Sequence, residues 1–211
     1  MPPWHIWNSL WSRVQKRLLK QGYSLLVYEA SEDILSPDGN VVANQFREVK
    51  DAAVRDVNEL LASGQFTSVD VVGLSLGTGS ALYFAISGIV INKLVLLCPS
   101  ADMAEGIYTG IRTKKVRHAL ERSGKSFEAY KEEMHELTMR KPYDISVNEV
   151  DILLSSVDDV IPFRLGMELV ASFQSKGISV NVTNYRNRGH YVSFILFCLF
   201  GYQKKSSKGI L

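Results

Sequence analysis

The sequence predicts an α/β domain in which a mostly parallel sheet lies between two layers of helices, a three-layer α/β/α sandwich. Short apolar runs typical of buried strands alternate with segments of helical periodicity along most of the chain. The length of 211 residues suits one domain, and 46% hydrophobic with 22% charged residues is close to the globular average. One charge-rich block interrupts the alternation. We therefore expect a single domain at 1–211 with a helical lid inserted at 101–149.

The first half of the chain contains the first helices and strands of this pattern. Apolar residues from Trp4 to Leu18 recur at helical spacing, basic residues occupy the rest of the helix surface, and Gln21-Gly22 ends the helix. A later loop contains Pro37-Asp38-Gly39, which is typical of a turn. The other predicted elements are the strands Tyr23–Glu29, Val69–Val72 and Lys93–Leu97 and the helices Phe46–Ser63 and Leu76–Ile86.

The second half begins with the charge-rich block, whose polar segments TKKVRHALERSG and SFEAYKEEMHEL are helical in composition. The alternation then resumes with the strands Val150–Ser155 and Ile178–Asn184, which the helix Phe163–Gln174 separates. The last apolar run, Tyr191–Tyr202, has 12 residues. A membrane span requires roughly 20 residues, so we interpret this run as a buried terminal helix.

The composition excludes several function classes. The formal net charge is +2 without a long basic block, so no nucleic-acid partner is expected. Cys98 and Cys198 lie in apolar runs without metal-ligand or disulfide spacing, and neither a metal nor an organic cofactor is expected. This cysteine usage, with no segment that resembles a secretory signal, predicts a cytoplasmic protein. The tryptophans and basic residues of the first helix also suit contact with a membrane surface. The oligomeric state stays open.

The pentapeptide GLSLG at 73–77 is the strongest chemical signal in the sequence. A predicted strand runs into it and a predicted helix follows at once, so small residues at both ends let strand and helix approach closely around Ser75. A serine in such a turn is a candidate nucleophile, and the amide of Leu76 is a candidate oxyanion donor. The alternative is a glycine-rich turn of a nucleotide-binding fold, although neither G-x-G-x-x-G nor a P-loop pattern occurs.

This segment resembles the nucleophile elbow of the α/β-hydrolase family, in which an acid and a histidine follow the serine in that order. The resemblance implies Asp158 as the acid, because it precedes Pro162 by four positions in SSVDDVIPF, and His190 of NYRNRGHYVSF as the base. The histidine would exchange the serine proton, and the aspartate would hold its tautomer. Asp159, and Asp102 after the Lys93–Leu97 strand, are alternative acids.

The resemblance does not extend to the beginning of the chain. Family members usually start with further strands, one of which leads into the loop that supplies a second oxyanion amide. In the family's strand order that strand lies between the strands matching Tyr23–Glu29 and Val69–Val72, so these two must pair directly or a gap must be filled. We expect either a fragment of a longer protein or a reduced domain with weak activity. The Trp4 amide is a candidate substitute donor.

The leading prediction is a serine hydrolase that cleaves an ester, thioester or related acyl bond of a small-molecule substrate. Ser75 would attack, His190 would move the proton, Asp158 would orient the ring, and the Leu76 amide would stabilise the oxyanion. One alternative is a non-catalytic or weakly active binding module, including one that contacts membrane surfaces. Another is an acyltransferase, because transfer to water or to another acceptor uses the same acyl-enzyme.

Overall fold

The computed structural model describes residues 8–28, 32–111, 113–140 and 144–201. These residues form an all-parallel four-stranded sheet with helices on both faces, which confirms the predicted α/β class. The strands follow the chain in spatial order: β1 Asp70–Leu74, β2 Ile91–Leu97, β3 Val147–Leu154 and β4 Val180–Asn184. The carboxyl ends of parallel strands lie at one edge of a sheet, so the loops after β1, β3 and β4 are neighbours there.

Eight α-helices are described, and each predicted helix has a counterpart among them. They are α1 Asn8–Lys20, α2 Gly39–Ala62, α3 Gly77–Ala85, α4 Met103–Thr109, α5 Lys114–Ser123, α6 Phe127–Glu133, α7 Phe163–Ser175 and α8 His190–Leu196, and α8 continues as a π turn at Phe197–Gly201. None of the described helices is both long and apolar enough to cross a bilayer. The predicted helix ends at Trp4 and Tyr202 lie outside the described residues.

The second helix begins at Gly39, earlier than the predicted Phe46. The Asp38 side chain accepts a hydrogen bond from the Asn40 amide at 3.0 Å, so it caps the helix. The sequence predicts a turn at Asp38 because aspartate favours both turns and helix N-caps, and local sequence separates the two poorly. The cap adds nearly two turns to α2.

The core occupies both faces of the sheet. Along β2, Leu94 and Leu96 face the cluster formed with α2, α3 and α7, while Val95 and Leu97 face the cluster formed with α1 and α8. A strand buried on both faces is a nearly continuous apolar run, as in parallel sheets generally. The sheet is therefore held rigidly, and its carboxyl edge is a fixed platform for the loops that follow the strands.

The lid region contains α4, α5 and α6, which lie between β2 and β3 in the chain. Their apolar side chains form a third cluster with α2 and α3, in which Phe46, Met103 and Tyr130 are fully buried. Strand β3 begins at Val147, slightly before the predicted Val150. The boundaries 101–149 of the lid stay a prediction.

The predicted strand Tyr23–Glu29 is not a strand in the described residues. The segment Tyr23–Tyr28 forms neither helix nor strand and pairs with no described strand, and Glu29 lies outside the described residues. A strand exists only through the hydrogen bonds of a neighbour, and here a cavity of about 690 Å³ separates the segment from β1. The two segments therefore do not pair directly, and a gap lies between them.

Candidate active site

The elbow around Ser75 is a tight turn between β1 and α3. Ser75 has φ of +53°, a left-handed conformation that side-chain-bearing residues rarely adopt. Three hydrogen bonds hold it: its amide donates to the Leu97 carbonyl at 2.9 Å, and its carbonyl accepts from the Thr78 amide at 2.9 Å and from the Thr78 hydroxyl at 2.6 Å. Surrounding structure that enforces such a conformation is a feature of functional sites.

Gly73 allows β1 and α3 to approach closely behind the elbow. A Cβ atom at Gly73 would lie 2.7 Å from the Ala81 Cβ and 2.8 Å from the Thr78 Cα. These separations are well below carbon–carbon contact distance, and one of them involves backbone, so no larger residue fits without movement. The first glycine of GLSLG is thus required by packing.

The structure brings Ser75, His190 and Asp158 into one hydrogen-bonded chain. The His190 Nε2 lies 2.9 Å from the Ser75 Oγ, and the His190 Nδ1 lies 2.8 Å from the Asp158 Oδ2. The three residues follow β1, β4 and β3 respectively, so the common edge of the sheet assembles them. The His190 and Asp158 side chains are 7% and 2% exposed, which shields the contact between them from water.

Asp158 is held as a carboxylate. Burial acts to raise its pKa, but hydrogen bonding and charge from His190 and the amides of Ile161 and Val160 outweigh burial, and the pKa lies below its ordinary value. Both amides donate to Oδ1 at 2.8 Å. Because a carboxylate only accepts hydrogen bonds, the Nδ1–H of His190 donates to Asp158. In the neutral ring Nε2 is then an acceptor for the Ser75 hydroxyl.

The two alternative acids do not occupy this position. Asp102 is buried, caps α4 by accepting from the Glu105 amide at 2.9 Å, and forms ion pairs with Lys131 and Arg140, both at 3.0 Å. Asp102 therefore anchors the lid. The hydrogen bond of His190 Nδ1 is to Asp158 rather than to Asp159.

Sequence reasoning missed the position of Cys98, because the sequence shows only that it lies in an apolar run. Cys98 directly follows β2 with φ of +50°, and its Sγ lies within 4.8 Å of ligand atoms of Asp158 and His190. These three form the one group of potential metal ligands found among the described residues. Burial and the nearby negative charge of Asp158 raise the pKa of Cys98 well above its ordinary value, so it stays a thiol. The sequence signal that could have identified Cys98 was its position directly after β2, a central strand of the sheet.

Leu76 is the N-cap residue of α3. Its amide belongs to the residue after Ser75, at the positive end of a nine-residue helix, where negative charge is favoured. The Leu76 side chain packs against the apolar cluster of the lid, so the lid adjoins the elbow. The Trp4 amide, the candidate second donor, lies outside the described residues.

Comparison with known proteins identifies the fold. No protein-family model matches the sequence, and no curated protein sequence matches it. Alpha/beta hydrolase domain-containing protein 10 from mouse matches with a TM-score of 0.57 at 15% identity, over 90% of this chain and 81% of that one. A puromycin-hydrolysing peptidase of Mycobacterium tuberculosis matches with a TM-score of 0.53 at 12% identity, over 79% of this chain. A truncated carbohydrate esterase from gut microbiota matches with a TM-score of 0.52 at 14% identity, over 72% of this chain.

These likenesses show that the chain has the α/β-hydrolase fold. The chain spans 24% of the length of the peptidase and 62% of the length of the esterase. At these identities the comparison establishes the fold and leaves the chemistry to be argued from the site.

Proposed function

We propose that the protein is a serine hydrolase that cleaves an ester, thioester or related acyl bond of a small molecule. One observation carries the proposal: the continuous hydrogen-bonded chain from the Asp158 carboxylate through His190 to the Ser75 hydroxyl, with contacts of 2.8 and 2.9 Å. Nucleophile, base and orienting acid within hydrogen-bond reach are the recognised signature of an activated serine.

In the first half-reaction the Ser75 Oγ would bond to the acyl carbon while the His190 Nε2 takes the hydroxyl proton. The Leu76 amide would donate to the oxygen that becomes negative. As the bond to the leaving group breaks, His190 would return the proton to that group, leaving Ser75 acylated. Asp158 would remain ionised throughout and stabilise the imidazolium by its charge.

In the second half-reaction a water molecule would replace the leaving group. His190 would take a proton from the water as its oxygen bonds to the acyl carbon, and the proton would then pass to the Ser75 Oγ as the acyl–enzyme bond breaks. General base catalysis of this kind typically contributes ~10²–10⁴ in rate. Removing one oxyanion donor typically costs ~10²–10³ in kcat. If the Leu76 amide acts without a second donor, turnover would therefore be slow.

Labelling with a fluorophosphonate probe tests the proposal, because such probes react with activated serines. Wild-type protein should be labelled on the peptide that contains Ser75, and Ser75→Ala should not be labelled. Ser80→Ala, the same change at a serine within α3, is the matched control and should label like wild type. Hydrolysis of p-nitrophenyl acetate should follow the same order. Equal labelling of wild type and Ser75→Ala excludes Ser75 as the reactive group.

A further inference from the structure

A sulfur, an oxygen and a nitrogen donor converge at the carboxyl edge of the sheet. The ligand atoms of Cys98, Asp158 and His190 all lie within 4.8 Å of one another. Such a mixed set of donors is typical of zinc sites, whereas Mg²⁺ and Ca²⁺ bind almost exclusively to oxygen. Asp158 and His190 have roles in the hydrolase mechanism, but Cys98 has none, so its position beside them calls for another explanation.

The backbone of each of these three residues is held at the end of a different strand. Cys98 directly follows β2 with φ of +50°, and its amide donates to the Leu153 carbonyl at 2.8 Å. The Asp158 amide donates to the Ser155 carbonyl at 3.3 Å in the loop after β3, and His190 begins α8 after β4. Donors on a rigid sheet edge are preorganised, as a metal site requires.

The Asp158 carboxylate can bind an ion through one oxygen while the other keeps its loop in place. Its Oδ1 accepts from the amides of Val160 and Ile161, both at 2.8 Å, and its Oδ2 faces the His190 Nδ1. In known metal sites the ligating carboxylates are themselves hydrogen-bonded in this way, which fixes their orientation. Coordination through Oδ2 therefore leaves the acid loop intact.

The spacing of the three donors is close to that of a zinc site. Zinc forms bonds of ~2.0–2.3 Å, so the ligand atoms of a tetrahedral site lie ~3.5 Å apart. The Asp158 Oδ2 and the His190 Nδ1 are 2.8 Å apart and must separate by ~0.7 Å. No two of the three donors need to approach by more than ~1.3 Å. Rotation of the side chains covers these distances without movement of the backbone.

We propose that Cys98, Asp158 and His190 bind Zn²⁺, with water as the fourth ligand, and that the bound ion switches off Ser75. Three protein ligands and a water are a common form of zinc coordination. Cys98 releases its thiol proton to solvent when the ion binds, because a coordinating thiol is deprotonated. The inhibition rests on the proposed hydrolase function, whereas the binding of the ion does not.

The ion inhibits because it competes with catalysis for the lone pairs of the His190 ring. Catalysis requires Nδ1–H to donate to Asp158 and Nε2 to accept the Ser75 proton. Nδ1 binds a metal only after it loses its proton, and in the neutral ring that proton moves to Nε2. Nε2–H then donates to the Ser75 Oγ and cannot take its proton. Coordination through Nε2 would occupy the accepting lone pair directly, with the same result.

Absorption spectroscopy with Co²⁺, a spectroscopic substitute for Zn²⁺, tests the site in the full chain without any need for activity. Wild type should show a thiolate-to-cobalt charge-transfer band in the near ultraviolet, and excess Zn²⁺ should remove it. Ser75→Ala should give the same band, because Ser75 is not a ligand. Cys98→Ser should abolish the band, and Cys198→Ser, the same change at the other buried cysteine, should retain it.

The chain contains two cysteines, so a band that Cys198→Ser retains must come from Cys98. This assignment holds even if Cys98→Ser fails to fold.

Fluorophosphonate labelling in buffered micromolar Zn²⁺ tests the inhibition. The ion is added in advance because its ligands are buried. Labelling of wild type and Cys198→Ser should slow at least tenfold and recover with EDTA, and Mg²⁺ should have no effect. Cys98→Ser, compared with its own metal-free rate, should need at least ~10-fold more Zn²⁺ for the same slowing, since loss of even an outer-shell partner typically costs ~10–100-fold in metal affinity.

Each part of the proposal has its own contrary result. A wild-type Co²⁺ spectrum without the charge-transfer band, or a band that Cys198→Ser abolishes, overturns the site. If the site is present but Zn²⁺ slows wild type and Cys98→Ser equally, the inhibition through Cys98 is overturned. Absence of labelling in metal-free wild type contradicts the hydrolase function instead, and the Co²⁺ spectrum still decides whether the site exists.

Discussion

Replacement of Gly73 by alanine is expected to disturb both the stability of the elbow and its chemistry. The new Cβ would lie 2.7 Å from the Ala81 Cβ and 2.8 Å from the Thr78 Cα, so β1 and α3 must separate. Overpacking of this kind typically costs ~1–3 kcal/mol of stability. Because Ser75 lies between β1 and α3, the separation also moves its Oγ relative to the His190 Nε2. A misplacement of ~1 Å can lower a rate ~100-fold.

Urea unfolding measures the first effect, and the second-order rate of fluorophosphonate labelling measures the second. Adding Ala81→Gly to Gly73→Ala removes the shorter contact and leaves the contact with Thr78, so stability should recover in part. The recovery is reduced by the ~0.5–1 kcal/mol that glycine costs within a helix. The control is Gly124→Ala at the end of α5, where φ is +70° and no other atom lies within 4 Å of the new Cβ. It should lose ~1 kcal/mol from backbone strain alone and label at the wild-type rate.

Two results would refute this reasoning. If Gly73→Ala is destabilised but labels as fast as wild type, the spacing of β1 and α3 does not hold Ser75 in position. If Ala81→Gly restores none of the lost stability, the clash with Ala81 is not its source.

Other predictions concern the acids and the thiol of the site. Asp158→Asn should lower the labelling rate by ~10⁴, because an amide can stabilise the wrong tautomer of the histidine. The folded-state pKa of Asp158 lies below its ordinary value. The carboxylate therefore stabilises the fold above pH ~4, and this contribution is lost as the pH falls through the folded-state pKa. In urea titrations, the difference in unfolding free energy between wild type and Asp158→Asn should shrink as the pH is lowered. Asp102→Ala should lower the unfolding free energy by ~1–2 kcal/mol, because it removes the N-cap of α4 and two ion pairs that solvent screens, while Arg140 keeps its pairs with Glu105 and Glu168. The variant should label within tenfold of wild type, and a complete loss of labelling in folded protein would contradict the lid-anchoring role of Asp102. The raised pKa of Cys98 and its burial predict no alkylation by iodoacetamide at pH 8, as read by mass spectrometry of the folded protein.

Local patterns in the sequence predicted most of the fold. They also predicted one site residue, Ser75, together with the strand before it and the helix after it. The alternation of apolar strands and amphipathic helices is a property of each segment, and it indicated the sheet and both helix layers. The elbow is also local: strand, turn and helix lie within 70–85 of the chain. The segment 23–28 was predicted wrongly as a strand because its composition is that of a strand, whereas strand formation depends on a neighbour that local sequence does not contain.

What the sequence by itself determined is therefore the α/β class, the strained turn at Ser75 and the ordered set of candidate partners that its resemblance to a family implied. Only the tertiary structure decided which candidates meet. Asp158 contacts His190 while Asp102 pairs with Lys131 and Arg140, because these contacts depend on how the loops after β2 and β3 are packed. The tertiary structure also revealed Cys98 beside the acid and the open edge of β1. Both are consequences of strand order, which brings together residues distant in sequence and is not encoded in any single segment.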